Sequence, residues 1–218
     1  MQLYEDTFGE GERESEPAII ENLVTETADR EGGHLVIVAE EHPDSCVGGV
    51  IFSYLPSIDC GYTSYLVVDP AMRRLGIGSG LLDEMKTCLT TEATRHGQRR
   101  VLGAFTELER EDPKRPETFL RFRFWQRNGV LPLAVDWRYP RLHGGQPPLA
   151  MYLAFGSYTD GQQWWYPQQL ELVANTIFEA TYSYLPSYRM TLEAVVANLR
   201  SLPQNQPVRY LQIEDARR

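Results

Sequence analysis

The chain has 218 residues, 42% of them hydrophobic and 23% charged, with a formal net charge of −9. These values are those of an ordinary globular protein, long enough to bury a core without disulfide or metal staples. No apolar run is long enough for a membrane span, and the acidic balance argues against nucleic acid as a partner. The three cysteines, Cys46, Cys60 and Cys88, are scattered, and no basic-then-apolar leader opens the chain. A cytoplasmic setting is therefore expected, without a disulfide framework or a zinc site. Charge is unevenly spread: residues 1–31 hold ten acids against two arginines, and residues 95–141 hold eleven basic residues against six acids. The basic stretch leaves room for a local anion site.

In chain order, an acidic, turn-rich segment begins at residue 4, and from Pro17 the spacing of Ile19, Ile20, Leu23 and Val24 predicts a helix. His34–Glu40, Val47–Leu55 and Tyr62–Val68 read as three strands separated by turns, the first two paired antiparallel. A glycine-rich turn then opens into a helix running to about Arg95, with Leu81, Leu82, Met85 and Leu89 at helical spacing and Gly97 suited to its C-terminal end. Val101–Leu108 is a strand, Glu117–Arg127 a short helix, and Val130–Val135 and Leu149–Phe155 two more strands. Beyond Phe155 come an aromatic stretch and two amphipathic helices, marked by Leu170, Val173, Ile177 and Phe178 and by Leu192, Val195, Val196, Leu199 and Leu202. Trp164-Trp165 is read as packing against those helices. The order predicts a mixed α/β (α+β) chain with a largely covered sheet. Residues 1–155 form one domain and 156–218 a helical extension, packed on that domain or at a subunit interface, so a homodimer is one expectation.

The chemistry concentrates in Val67-Val68-Asp69-Pro70-Ala71-Met72-Arg73-Arg74-Leu75-Gly76-Ile77-Gly78-Ser79-Gly80-Leu81-Leu82. A buried strand enters a tight turn that becomes a helix. Glycines at alternate positions let a ligand approach the backbone, and the free amides and dipole of a helix start attract an anion. Arg73 and Arg74 add positive charge. The nucleotide-hydrolase loop requires Gly-Lys-Ser/Thr, and no lysine is present; the dinucleotide fingerprint requires G-x-G-x-x-G, whereas this run is G-x-G-x-G. A glycine-rich helix start that merely packs tightly is the bland alternative.

The run resembles the acyl-CoA-binding motif of the GNAT superfamily of N-acetyltransferases, R/Q-x-x-G-x-G/A between a strand and a helix. Arg73, Gly76 and Gly78 match it, and Phe124-Trp125-Gln126-Arg127-Asn128-Gly129-Val130 resembles the family's later F-Y-x-x-x-G-F segment. The resemblance covers roughly residues 4–155. It implies a mostly antiparallel central sheet flanked by helices, with the helical extension added at the C-terminus. It implies acetyl-CoA as co-substrate, with no metal. The pyrophosphate would lie on the amides of Arg74, Leu75, Gly76, Ile77, Gly78, Ser79 and Gly80, with Arg73 beside them. The pantetheine arm would pair with the strand edge at Leu66, Val67 and Val68. Where the family often has a tyrosine that protonates the departing thiolate, this chain has Trp125; where it often has an asparagine, Thr118 stands.

Acyl transfer to an amine needs a base, and the carboxylates nearest the sheet centre are Glu107, then Glu109. His34, His42, His96 and His143 are isolated, and Cys60 has no histidine partner in sequence, so it reads as a structural thiol. The resulting expectation is an enzyme that acetylates a primary amine of a small molecule or protein by direct attack in a ternary complex. The alternatives are a non-catalytic acyl-CoA-binding or protein-interaction module of the same fold, and a different α/β anion binder such as a nucleotide binder.

Overall fold

The computed structural model describes residues 2–8, 19, 35–40, 42, 45–141, 147–160 and 164–211. Two compact units emerge, Met1–Leu102 with Arg141–Pro147, and Gly103–Pro140 with Pro148–Arg218. The fold is mixed α/β, with strands in antiparallel ladders and helices against them.

The first unit is a meander of β1 (Leu35–Glu40), β2 (Cys46–Leu55) and β3 (Cys60–Val68), each paired antiparallel with the next. Alternation sorts its side chains between two helical layers. On one face, α1 (Gln2–Thr7) brings Tyr4 against Ile19, Ile51 and Tyr65, with Phe8 packed alongside. On the other lies α2 (Ile77–Arg95), which buries Gly78, Leu81, Met85, Leu89 and Ala93 at helical spacing. Thr63 Oγ1 donates to Met85 Sδ at 3.3 Å across that contact. Gly48 of β2 lets the helix approach: a Cβ there would meet the Val67 carbonyl oxygen at 3.1 Å, Ile77 at 3.2 Å and Leu81 at 3.4 Å. Gly97, at φ +74°, follows the C-cap His96 in the left-handed region that a side chain would strain.

The second unit is built around β7 (Leu149–Ser157). One edge pairs antiparallel with β4 (Gly103–Glu109), and the other takes β5 (Val130–Pro132) and then β6 (Trp137–Tyr139). The helix α3 (Pro116–Arg127) covers Leu108, Val130 and Ala154 with Phe122. Helices α4 (Pro167–Tyr182) and α5 (Tyr188–Ser201) pack on one another and bury Leu170, Val173, Ile177, Phe178, Leu192, Val195 and Leu199.

Most predicted elements agree within one or two residues, but two differ. The N-terminal segment read as turn-rich begins instead as helix α1, and Ile20, Leu23 and Val24 of the predicted helix lie outside the described residues, as do His34 and His143. The strand expected over 130–135 stops at Pro132, and a further strand, β6, resumes the same edge of β7 at Trp137. The Leu133 N–H still donates to the Leu153 carbonyl at 2.8 Å, but the chain then turns tightly, the Val135 N–H bonding to the Leu133 carbonyl at 2.9 Å. Trp165 is buried with ring centroids 4.9 Å from Phe105 and 5.1 Å from Phe155, and Trp164 is half exposed.

Gly103 permits the tightest approach in this unit, because a Cβ there would lie 2.1 Å from the Gly156 carbonyl oxygen and 2.4 Å from the Phe155 ring. Gly103→Ala is expected to destabilise the protein by about 2 kcal/mol or more, the cost of forcing volume against backbone. Urea denaturation would measure this as a lowered midpoint, and an unchanged midpoint would refute the packing described.

Candidate functional site

The glycine-rich turn is shaped by local hydrogen bonds. The Asp69 carboxylate accepts from the Ala71 N–H at 2.8 Å and caps a single 3-10 turn, Pro70–Met72, while the Asp69 N–H donates to the Val47 carbonyl at 2.8 Å. Asp69 thus ends β3 and ties the turn to β2. The Arg73 Nε–H folds back to the Val68 carbonyl at 3.2 Å. Arg74 at φ +70° and Gly76 at φ +87° are both left-handed and bracket the exposed Leu75. A non-glycine residue held there stores about 1–2 kcal/mol of backbone strain, the kind of conformation that clusters at ligand-binding turns.

Helix α2 then begins with Gly76 at the N-cap, no capping side chain and no acidic residue in its first turn. Its ladder starts with the Gly80 N–H donating to the Gly76 carbonyl at 2.9 Å, so the amides of Ile77, Gly78 and Ser79 precede it. A Cβ added at Gly76 or Gly80 would meet nothing within 4 Å. Backbone conformation requires glycine at 76, but neither conformation nor protein packing requires it at 80, where a helical glycine costs about 1 kcal/mol relative to alanine. Bare amides, open space, a positive dipole end and two arginines suit a diphosphate, so the residues present fit the pyrophosphate of an acyl-CoA. Immediately upstream, Leu66, Val67 and Val68 lie opposite Val50, Gly49 and Gly48 of β2, with Val67 buried and its neighbours half-buried.

The ladder of β2 with β3 is interrupted just before this segment. Ile51 lies opposite Tyr65 and Phe52 opposite Thr63, so Ser64 is an extra residue, a β-bulge. The Ser64 hydroxyl oxygen is buried and has no hydrogen-bond partner. Nothing in residue spacing signals such a bulge, because it is a property of register.

The remaining predicted site residues all lie in the second unit. Glu107 on β4 accepts hydrogen bonds on both oxygens, from the Trp137 indole N–H on Oε1 and from the Tyr182 hydroxyl on Oε2. Trp137 and Tyr182 are themselves buried, with Phe178 edge-on to both. They are 30 and 75 residues from Glu107 in sequence, and local spacing gives no sign of them. Glu109 is engaged differently: Arg115 pairs with one oxygen and Arg121 with the other. Its charge is compensated by two guanidinium groups, which suits a loop anchor better than a base. The buried Thr118 hydroxyl accepts from the Asp112 N–H at 2.9 Å and donates to the Arg115 carbonyl at 2.7 Å, fastening the same loop to α3. Trp125 packs half-buried against the cluster of Leu108, Phe122, Val130 and Ala154. Among the described residues no group of three or more His, Cys, Asp or Glu could hold a metal ion, and no helix is long and apolar enough to cross a membrane.

The cysteines are three free thiols. Burial, and secondarily the Asp59 charge, push the Cys60 thiol far up, so it carries no reactive thiolate. At about pH 8, a thiol reagent is expected to modify the exposed Cys46 in the folded protein and Cys60 only after unfolding. Peptide mapping after timed labelling would check this, and rapid native labelling of Cys60 would contradict its placement.

A family model described as the acetyltransferase (GNAT) family matches residues 1–113. No curated protein sequence matches the chain. Among solved structures, one described as a GNAT-family acetyltransferase from Bacteroides thetaiotaomicron superposes with a TM-score of 0.59 at 20% identity, covering 83% of this chain and 88% of its own. One described as a streptothricin acetyltransferase from Bacillus anthracis, in complex with acetyl coenzyme A, gives 0.42 at 13% identity over 58% of this chain and 63% of that one. One described as a GNAT-family acetyltransferase from Staphylococcus aureus gives 0.40 at 18% identity over 59% and 70%. The first of these likenesses is a likeness of fold.

Proposed function

The chain belongs to the GNAT acetyltransferase family, and we propose that it is an acetyl-CoA-dependent N-acetyltransferase acting on a primary amine of a small molecule or protein. The observation that carries the reading is the uncapped, glycine-lined start of α2 directly after β3, open where a diphosphate would lie. Arg73 and Arg74 would balance the diphosphate charge, and the amides of Ile77, Gly78 and Ser79 would donate to its oxygens. Val67 and its neighbours would offer backbone groups to the extended arm.

Acetyl-CoA would supply an acetyl thioester; attack by the amine forms the C–N bond as the C–S bond breaks and CoA leaves as thiolate. Glu107 would take the proton from the amine nitrogen, directly or through water, and solvent would protonate the thiolate, since Trp125 has no acidic hydrogen to give. The Trp137 and Tyr182 donors would hold that carboxylate fixed in orientation. Trp125 also motivates a second reading, a non-catalytic acyl-CoA-binding module of the same fold.

Acetyl-CoA at about 100 times its dissociation constant is expected to add about 2.7 kcal/mol of stability, read as a raised Tm, whereas ATP and a dinucleotide should leave it unchanged. Ser79→Glu is expected to abolish that shift while the far-ultraviolet dichroism stays native. A carboxylate in the first helical turn suits the dipole but repels an anionic ligand. A full shift in Ser79→Glu would overturn the cradle assignment. In an amine panel followed by thiol release, Glu107→Gln is expected to lower kcat by about 100-fold or more with little change in the acetyl-CoA shift. Binding without turnover by the unmodified chain would favour the non-catalytic module.

A further inference from the structure

The second unit carries a half-buried apolar patch beside Glu107 that the reading above does not use. Residues directly opposite in a ladder share a face of the sheet, as do alternate residues of one strand. Glu107 and Glu109 lie opposite Leu153 and Met151, and Met151 and Leu149 lie opposite Trp137 and Tyr139. One face therefore carries Glu107, Met151, Leu149 and Tyr139 together. Its inner part is sealed, with Leu153 and Trp137 fully buried and Phe178 edge-on to Trp137. Helix α4 ends at Tyr182, whose hydroxyl donates to Glu107 and whose ring is edge-on to Tyr139 at 5.3 Å. Beyond that point Glu107, Met151, Leu149 and Tyr139 are all half-buried. From the level of Glu107, Met151 lies about 7 Å and Leu149 about 14 Å along β7, at the rise of an extended strand.

We propose that Met151, Leu149 and Tyr139 bind the acceptor, and that the acceptor carries one ammonium group on an apolar body, rather than being a polyamine or a basic peptide. This rests on the acyl-CoA reading above and deepens it. The ammonium group would sit at Glu107, where that carboxylate takes its proton. The body would lie along Met151 toward Leu149, against the Tyr139 ring, and removing both apolar surfaces from water favours the contact. Charge limits the acceptor to one cation at this place. The described donors to Glu107 are neutral, so the carboxylate suits an ammonium group. Glu109, the other carboxylate on this face, is matched by Arg115 and Arg121, and the Arg110 Nε–H reaches the Met151 carbonyl at 3.4 Å. A second positive charge on the acceptor would meet guanidinium groups there.

The test measures kcat/KM with acetyl-CoA for n-propylamine, n-butylamine, n-pentylamine and n-hexylamine, and for spermidine and a peptide bearing a lysine, alongside the acetyl-CoA shift in Tm. Along the alkylamine series kcat/KM is expected to rise about threefold per methylene, as each leaves water for the patch. Spermidine and the peptide are expected to lie about tenfold or more below n-hexylamine. In Met151→Gln, and separately in Leu149→Gln, the increment is expected to fall below about twofold per methylene, with the acetyl-CoA shift retained as the sign of a folded chain. A flat alkylamine series, a preference for spermidine or the peptide, or an unchanged increment in both variants would overturn the inference while leaving the acyl-CoA reading intact. An acetyl-CoA shift with no amine acetylated would do the same. Absence of that shift in the unmodified chain would overturn both.

Discussion

The architecture of the cradle depends on one close approach, that of α2 to β2 at Gly48. Its missing side chain lets Ile77 and Leu81 settle against the sheet within ordinary contact distance of where a Cβ would be. Gly48 lies opposite Val68, the last residue of β3, so the helix begins where the strand ends. The chain must turn between them in few residues, and the left-handed backbone at Arg74 and Gly76 is how it does so. The bare amides of the first helical turn are thereby held by the sheet rather than by a mobile loop. A ligand that meets them need not first order them, and binding energy is not lost to that ordering.

The parts of this arrangement that are contiguous in sequence were legible there. Residues 66–80 carry strand end, turn, glycines and helix start in one run, and the helical period of Leu81, Met85 and Leu89 marks the buried side of α2. Three strands with clear apolar runs were legible for the same reason. What could not be read arises from tertiary pairing. The bulge at Ser64 exists only once β2 and β3 have chosen a register, and the donors to Glu107 come from β6 and α4. The helix α1 has six residues and a mixed polar composition, too short for a period to show. β6 has three residues, and its pairing to β7 alone defines it as a strand.

Glu107 and Glu109 are separated by one residue, and the fold gives them different surroundings. Glu109 is neutralised by Arg115 and Arg121 on the side of the loop and α3. Glu107 meets neutral donors, an indole and a phenol, in an aromatic setting of Trp137, Phe178 and Tyr182. Neutral donors orient a carboxylate without cancelling its charge, whereas guanidinium partners do both. The choice between two similar acids is thus made by partners, which a linear reading ranks only by position.

The family match ends at residue 113, whereas the second compact unit begins at Gly103. β4 therefore belongs to both the segment of recognisable ancestry and the later half of the chain. Its ladder partner β7, and both donors to Glu107, lie beyond the match. The matched segment and the compact units are divided at different places in this chain. The glycine-rich turn and the start of α2 lie wholly inside the matched segment, whereas the strand bearing Glu107 draws its ladder partner and its carboxylate's donors from outside it.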